Sequence, residues 1–351
     1  MSIVQDRRTF LRCAVGATAA SLLAACAPAA SPAGQQSAPV TTAPAAAKAV
    51  SKLTYALASV NGLHFVATVA SEKPDLPHKF GIELELVTTT NSPNAVNALI
   101  GGSVDIAGAT PDSAWPAQEK APDMKQIGAL ADGTPYVLLA QPEIKKAAEL
   151  KGKTLGASAI RGGADTTAIR IMLVENGLAE SDYTIVQAGA ISDRTAAMKA
   201  RSIQAVAQIE PQATLLRDEG FPEIDNANNY PALKGVHSIV LLAKKSWYDA
   251  NGETAGNVIK AFDSVTKWIY DPANKAELLA ITKKTMGATD KSAEAVYNLH
   301  VVSKSVSADL RIREMYMQQF LENQKKSGAE NLPTDPMKYV DNSLVERALK
   351  A

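Results

Sequence analysis

Polar side chains that could bind a small molecule follow the ends of four short apolar runs in the first part of this sequence. They carry hydroxyl, amide, imidazole and carboxyl groups, and they are Ser59, Asn61, His64, Asn91, Thr110, Asp112 and Asp132. Most of these groups are uncharged at neutral pH and act as hydrogen-bond donors and acceptors. Together they predict a site that holds a small polar molecule by hydrogen bonds.

A second cluster of polar residues follows the apolar run that ends near Ala157. Its members are Ser158, Arg161, Gly163, Asp165 and Thr166. The adjacent glycines at positions 162 and 163 let the backbone approach a ligand closely, and the exposed N–H groups of a helix start favour an anionic group. The alternative is that the hydroxyl and carboxyl groups are helix N-caps and that the arginine is a solvated surface charge.

The sequence contains no recognisable catalytic or metal-binding motif. It has no H-E-x-x-H, C-x-x-C or G-x-S-x-G segment, and its four histidines are scattered without metal-ligand spacing. The segment Gly152-Lys153-Thr154 resembles the end of a phosphate-binding loop, but Ala147 stands where that loop needs its first glycine. We therefore predict no catalytic residue, no metal and no cofactor.

The elements that must position these side chains follow an alternating pattern. From Leu53 onward, short apolar runs alternate with longer helical segments, which is typical of an α/β fold with a parallel sheet covered by helices. Strands are predicted at 53–57, 82–87, 104–107, 125–130, 136–140, 154–157, 184–187, 205–209 and 238–243. Helices are predicted at 63–71, 93–100, 112–120, 166–176, 193–201, 212–218, 254–270, 274–285, 292–301 and 312–326. In such sheets ligands bind beyond the carboxyl ends of the strands, where the polar residues lie.

Length and charge limit the classes of protein that fit this sequence. The 351 residues are enough for two domains at about 100 to 200 residues each. There are 36 basic and 36 acidic residues, so the formal net charge is zero, and no run of five basic residues occurs. Without a net positive charge or a basic run there is no general attraction to phosphate backbones, so nucleic acid is excluded as an expected partner.

The first fifty residues are similar to an export signal followed by a spacer. Arg7-Arg8 with a short uncharged stretch after it resembles a twin-arginine signal peptide over residues 1–25. The tetrapeptide that ends at Cys26 resembles a lipobox, in which that cysteine becomes lipidated. Residues 26–50 are rich in alanine and proline and predict a flexible linker. The alternative is a buried N-terminal helix whose arginines happen to be adjacent.

Several segments carry the likeness of a known family. Residues 98–107 (ALIGGSVDIA) resemble the "L-x-x-G-x-V-D-I-A" segment of substrate-binding proteins of ABC importers in the nitrate/sulfonate/taurine group. Residues 150–154, 162–173 and 203–211 fit in order. The last of these resembles the segment "V-D-A-x-x-x-W-[DE]-P", with Ile209 in place of the tryptophan, and it adds Glu210 to the candidate ligand-binding residues. The likeness covers roughly residues 53–300.

This resemblance implies a two-lobed, type II periplasmic binding protein fold with a hinge, an interlobe cleft and a helical C-terminal part. Residues 51–144 plus 236–351 would form lobe 1, and residues 145–235 would form lobe 2. The protein would be an exported, lipid-anchored monomer that binds a small, anionic organic solute such as a sulfonate, carboxylate or oxyanion. Its partners would be importer permease subunits and, through Cys26, the membrane surface. The alternatives are an enzyme on the same fold, of the pyrimidine-precursor synthase or menaquinone-pathway lyase type, and a sensory solute receptor.

Overall fold

Two five-stranded sheets organise the part of the chain that the computed structural model describes, namely residues 50–58, 62–161 and 163–350. The strands are β1 Ser51–Leu57, β2 Ile82–Thr88, β3 Ile106–Ala109, β4 Met124–Asp132, β5 Val137–Ala140, β6 Thr154–Ala157, β7 Thr184–Gln187, β8 Ala205–Gln208, β9 Glu223–Asn226 and β10 His237–Lys244. The first sheet has the order β2-β1-β3-β10-β4 and the second has the order β7-β6-β8-β5-β9.

Both sheets are mixed, whereas the alternating pattern predicted parallel sheets. In the first sheet β10 pairs antiparallel with β3 and β4, while β1 pairs parallel with β2 and β3. In the second sheet β5 pairs antiparallel with β8 and β9, while β6 pairs parallel with β7 and β8. The expectation missed this because a buried strand reads as a continuous apolar run in either direction.

The two antiparallel strands are also the strands that the chain enters when it crosses between sheets. The chain leaves the first sheet after β4 and enters the second at β5, and it returns after β9 to β10. The expected first lobe ran to residue 144 and so included β5, but the hydrogen bonds of β5 place it in the second sheet. Only strand pairing distinguishes these two assignments, because either lobe can bury an apolar segment. Both sheets belong to one compact unit.

Helices cover both sheets. They are α1 Phe65–Glu72, α2 Asp75–His78, α3 Ser92–Ile100, α4 Pro111–Lys120, α5 Ala164–Glu175, α6 Ile191–Lys199, α7 Gln212–Asp218, α8 Pro231–Lys234, α9 Lys245–Ala250, α10 Gly252–Tyr270, α11 Lys275–Met286, α12 Asp290–Tyr297, α13 Glu314–Lys326 and α14 Ser343–Leu349. A π-helical turn, Asn298–Val302, follows α12. Every predicted helix is present within a few residues, while β9, α2, α8, α9 and α14 were not predicted. β9 (Glu-Ile-Asp-Asn) lacks the apolar run by which the other strands were recognised.

The first sheet is buried on both faces. Along β1, Tyr55 and Leu57 point into a core shared with α1 and α10, while Ala56 points into a second core. In that second core Trp115 of α4 packs edge-on against Phe320 of α13, with ring centroids 5.7 Å apart. This alternation follows from the period of two along a strand. Within the described ranges, no helix combines the length and apolar character needed to cross a membrane.

Candidate functional site

A small cavity of about 40 Å³ lies between the two sheets, at the carboxyl ends of parallel strands from both. From the first-sheet side it is lined by Ala58, Leu63, His64, Thr90, Asn91, Ser92, Thr110 and Ile239. From the second-sheet side it is lined by Tyr136, Ser158, Gly163, Ala164, Asp165, Ala190, Ile191 and Arg194. Because neighbouring parallel strands deliver their following loops to one edge, residues distant in sequence meet at this place. We call it the interlobe cavity.

Five helices begin at the interlobe cavity. The lining includes the N-cap or first residues of α1, α3, α4, α5 and α6, each of which has eight or more residues. The backbone N–H groups of a first helical turn have no partner within the helix, and the helix dipole adds a partial positive charge there. An anionic group placed in the cavity would therefore face positive ends from both sheets.

A buried ion pair lies in the wall of the cavity. Arg194 Nη1 is 3.2 Å from Asp165 Oδ2, and the two side chains are only 4% and 2% exposed. The carboxylate of Asp165 also accepts hydrogen bonds of 2.7 Å from the backbone N–H and the hydroxyl of Ser158. Arg194 Nη1 donates to the carbonyl of Gly189, while Arg194 Nε is buried without a partner. The pair is thus held in place and keeps one unused donor.

Gly163 is required at this point by lack of space. A Cβ on this residue would lie 2.9 Å from Asp165 Oδ1 and 3.0 Å from Ser158 Oγ. Both distances are at or below the closest approach of real Cβ atoms, and both neighbours are held by the hydrogen bonds just described. Gly163 is therefore needed because a side chain here would collide with the Ser158–Asp165 contact, and not because its backbone conformation is one that only glycine adopts.

His64 lines the cavity as a neutral group. Its Nδ1 is 3.5 Å from the hydroxyl of Tyr55, and both residues are buried. Burial lowers the pKa of His64 to about 3, because the charged imidazolium loses its hydration. His300, buried against Phe65 in a stacked arrangement, has its pKa lowered to about 3 for the same reason. At neutral pH His64 therefore offers hydrogen bonds but no charge.

These two histidines predict a loss of stability in mild acid. Their folded-state pKa of about 3 lies below the ordinary 6.5, so between these pH values the two histidines bind protons in the unfolded chain but not in the folded chain. The contribution is complete above pH 6.5 and is lost as the pH falls toward 3. Between pH 6.5 and 5 each histidine should cost about 2 kcal/mol of unfolding free energy. Urea unfolding at pH 6.5 and at pH 5 measures this loss of unfolding free energy. In His300→Gln the loss between the two pH values should be smaller by about 2 kcal/mol.

The control for this experiment is His78→Gln, because His78 is exposed at the end of α2. Burial raises the pKa of Asp112 to about 6, so this carboxyl favours folding in acid and partly offsets the histidines. The test therefore compares how the unfolding free energy changes with pH in the variants and in the wild type, because the wild-type value alone also contains the contribution of Asp112. Equal pH dependence in the wild type and in His300→Gln would contradict the prediction.

The structure brings six of the predicted site residues into the interlobe cavity. They are His64, Asn91, Thr110, Ser158, Gly163 and Asp165. Several also cap or brace the elements that carry them. Asn91 Oδ1 accepts from the backbone of Asn94 as the N-cap of α3, and the Thr110 and Ser113 hydroxyl oxygens are 2.7 Å apart. The capping interpretation therefore holds for Asn91, while ligand binding by these residues stays a prediction.

The other predicted residues lie elsewhere. Asp112 and Arg161 line a neighbouring groove between α3, α4 and the C-terminal segment. The buried Thr166 hydroxyl donates to the carbonyl of Ala159, so it braces the loop before α5. Ser59, Asn61 and the proposed lipidation site Cys26 lie outside the described residues.

Two more predicted residues make structural contacts near the crossings between the sheets. Asp132 is 2.7 Å from His237 Nδ1, and His237 Nε2 accepts from the backbone of Arg313. Glu210 accepts from the backbone of Thr214 at the start of α7 and pairs with Arg217. These acidic side chains therefore have partners within the protein, and they line separate grooves rather than the interlobe cavity.

Sequence reasoning missed the arginine that the cavity contains. Arg194 lies in the first turns of α6, after β7, a position equivalent to the polar residues that follow the other parallel strands. Applying the same rule to the strand at 184–187 would have found it. The lining contributes one cation and one anion, which are paired with each other. Among the described ranges there is no group of three or more His, Cys, Asp or Glu residues that could hold a metal ion.

The two sheets, the two crossings and the cavity between them define a periplasmic binding protein fold of type II. The chain belongs to the NMT1/THI5-like family, whose model matches residues 78–276. No curated protein shows a significant sequence match to it.

Solved structures of similar fold include three solute-binding proteins. The alkanesulfonate-binding protein SsuA from Xanthomonas axonopodis, bound to MOPS, is 18% identical with a TM-score of 0.66, over 87% of this chain and 99% of that one. SsuA from Escherichia coli, an aliphatic sulphonate binding protein, is 17% identical with a TM-score of 0.62, over 84% and 92%. The nitrate-binding protein NrtA from Synechocystis is 14% identical with a TM-score of 0.65, over 86% and 89%. At these identities the likeness concerns the fold.

Proposed function

We propose that this protein is the solute-binding component of an ABC importer and that it holds a small polar solute with an anionic group in the interlobe cavity. The observation that carries the proposal is the convergence of five helix N-termini on one cavity, together with the unused Nε donor of Arg194. Such a site stabilises negative charge by oriented N–H groups. The sulfonate and nitrate binders of the same fold support this class of ligand.

Solute capture would require the lobes to move apart. A cavity of about 40 Å³ holds little more than one or two water molecules, so an organic solute needs a wider opening. We assign the first lobe to residues 51–132 plus 237–350 and the second lobe to residues 137–226. The two connections, 133–136 and 227–236, would then act as the hinge, since both pass between the sheets. A hinge of this kind requires no second copy, so we propose a monomer.

Titration calorimetry with matched ligands tests the proposal. Methanesulfonate, nitrate, acetate and aromatic acids are compared with dimethyl sulfone, which resembles methanesulfonate in shape but has no charge. At least one anion should bind with a dissociation constant in the micromolar range or tighter, at least about tenfold tighter than its neutral analogue. Equal binding of the charged and neutral members, or no binding by any anion, would contradict the proposal.

Two arginine variants locate the anion. Arg194→Lys keeps a positive charge but removes the planar fork and its Nε donor, so binding should weaken at least about tenfold. Arg161→Ala is the matched control, because Arg161 is exposed and lines the neighbouring groove. Its effect should be less than about twofold. A larger loss of anion affinity in Arg161→Ala than in Arg194→Lys would show that the anion binds in the neighbouring groove and not in the interlobe cavity.

The same titrations separate a binding protein from an enzyme on this fold. The bound molecule, recovered after denaturation, is expected to be chemically unchanged. Conversion of it to a product would favour the enzyme, and signalling through a receptor partner without uptake would favour the sensory receptor.

We also propose that the protein is exported by its twin-arginine signal and anchored by lipid on Cys26, with residues 27–50 as a spacer. One acyl chain gives only marginal membrane binding, so several chains on one cysteine would be needed for a stable anchor. Mass spectrometry of the mature protein should find a lipidated N-terminal cysteine. Cys26→Ser should release the protein from the membrane fraction, and a membrane-bound Cys26→Ser protein would contradict the anchor.

A further inference from the structure

A groove of about 630 Å³ lies beside the interlobe cavity, between α3, α4, Arg161 and residues 329–332. We call it the α3–α4 groove. Much of its wall is apolar, including Val96, Ile100, Ala117 and Leu332. Ile100 is 37% exposed there, which makes it one of few large apolar side chains left in contact with solvent among the described residues. The groove is therefore large enough and apolar enough to hold the body of a small organic molecule.

Two buried polar atoms on α4 lack partners within the protein. Asp112 Oδ1 and Trp115 Nε1 are both inaccessible and form no hydrogen bond. Both residues line the α3–α4 groove, and their spacing of three places them on the same face of the helix. Leaving a buried acceptor and a buried donor unsatisfied costs about 1–3 kcal/mol each. A ligand that offers a donor to Asp112 and an acceptor to Trp115 would remove this cost.

The charges around Asp112 favour a cation. Asp112 forms no ion pair with any described basic residue. Burial, with a smaller contribution from the negative charge of Asp165, raises the pKa of its carboxyl to about 6, against the opposing effect of hydrogen bonds with Thr110 and the backbone of Ser113. The other charged residues of the lining are Lys120, Arg161 and Glu330, so the groove as a whole is balanced. The N-terminal dipole of α4 opposes a cation here, but a full carboxylate charge at contact distance outweighs half a charge.

We propose that the α3–α4 groove is a second binding site, which takes a small apolar amine. The ammonium group donates to Asp112, and the apolar body lies against α3, α4 and Leu332. A hydroxyl or carbonyl on the amine can accept from Trp115. The groove and the proposed anion site share no lining residue, although Thr110 of the interlobe cavity and Ser113 of the groove are in contact through their hydroxyl groups.

The test uses 2-phenylethylamine as the probe and 2-phenylethanol as its uncharged analogue, by ligand-observed NMR and calorimetry at pH 7.5 on the exported form of the chain. The amine should bind at least about tenfold tighter than the alcohol. Asp112→Asn should abolish this preference, and it should fold, since it removes a buried carboxylate. Glu330→Gln is the matched control, because Glu330 is an exposed carboxylate of the same groove, and it should change binding less than about twofold.

A second variant keeps the test decisive if Asp112→Asn is unstable. Ile100→Lys places a cation on an exposed position of the groove wall and should prevent amine binding without affecting folding. Equal affinity for the amine and the alcohol, or amine binding that survives both variants, would overturn the proposal. Arg194→Lys separates this site from the proposed function, because it should weaken anions in the interlobe cavity and leave the amine unchanged.

Discussion

Replacing Arg194 by methionine should lower the free energy of unfolding by about 3–5 kcal/mol, because it leaves the Asp165 carboxylate buried without its cation. Methionine preserves much of the volume of the arginine stem, so the loss reflects charge rather than a cavity. Urea unfolding at pH 7 measures the effect. Two hydrogen bonds from Ser158 remain in the variant and set the lower end of the range.

The control for this prediction is an exposed ion pair of the same second lobe. Lys199 and Glu219 are 2.6 Å apart, but each side chain is 46% exposed, so Lys199→Met should cost about 0–1 kcal/mol. The double variant of Arg194→Met with Asp165→Asn should recover at least about 2 kcal/mol of the loss, because it removes the unpaired charge. Equal losses in Arg194→Met and Lys199→Met would mean that the buried pair contributes no more than a surface pair.

Gly108→Ala should destabilise the protein by about 3 kcal/mol and displace His64, which lines the interlobe cavity. A Cβ on Gly108 would lie 1.9 Å from the hydroxyl oxygen of Tyr55, 2.8 Å from its Cζ and 3.0 Å from His64 Nδ1. Tyr55 is completely buried, so it cannot move aside without shifting His64 or the neighbouring strand. Thermal or urea unfolding measures the stability, and calorimetry with an anion that the wild type binds should show weaker binding.

Tyr55→Phe distinguishes this clash from a general intolerance of alanine. It removes the atom at 1.9 Å and loses only a long contact of 3.5 Å to His64, so it should restore at least about 1 kcal/mol to Gly108→Ala. Gly256→Ala is the matched control within α10. Nothing lies within 4 Å of its added Cβ, so it should stabilise the helix by about 0.5–1 kcal/mol. If Tyr55→Phe restores no stability to Gly108→Ala, the destabilisation comes from the alanine within the strand and not from the clash with Tyr55.

The rule that ligands bind beyond the carboxyl ends of parallel strands accounts for most of the predicted residues in the interlobe cavity. His64, Asn91, Thr110, Ser158 and Asp165 all follow parallel strands, and the rule placed them at one site before any pairing was known. The rule is reliable here because the strand direction fixes which end of the sheet each loop reaches. Asp132 lines a separate groove instead, because β4 continues past Leu130 and carries this residue to the crossing between the sheets.

The sequence did not predict which of the two arginines, Arg161 or Arg194, contacts Asp165. Both follow parallel strands of the second sheet, and the neighbouring glycines drew attention to Arg161. A long side chain can turn toward either side of the sheet edge, and local sequence does not determine which. The packing of α6 against β6 and β8 brings Arg194 onto Asp165, whereas Arg161 turns toward the C-terminal segment, with Nη1 3.4 Å from the carbonyl of Gly328.

The sequence by itself determined the α/β class, the order of the major elements and the family, because periodicity and short segments are local properties that survive without knowledge of contacts. Only the tertiary structure decided that β5 belongs to the second sheet, that Arg194 rather than Arg161 meets Asp165, and that Asp112 faces a groove of its own. Those outcomes depend on which elements lie side by side. Such contacts join residues far apart in the chain, and their energies are shared among many partners, so no short stretch of sequence encodes them.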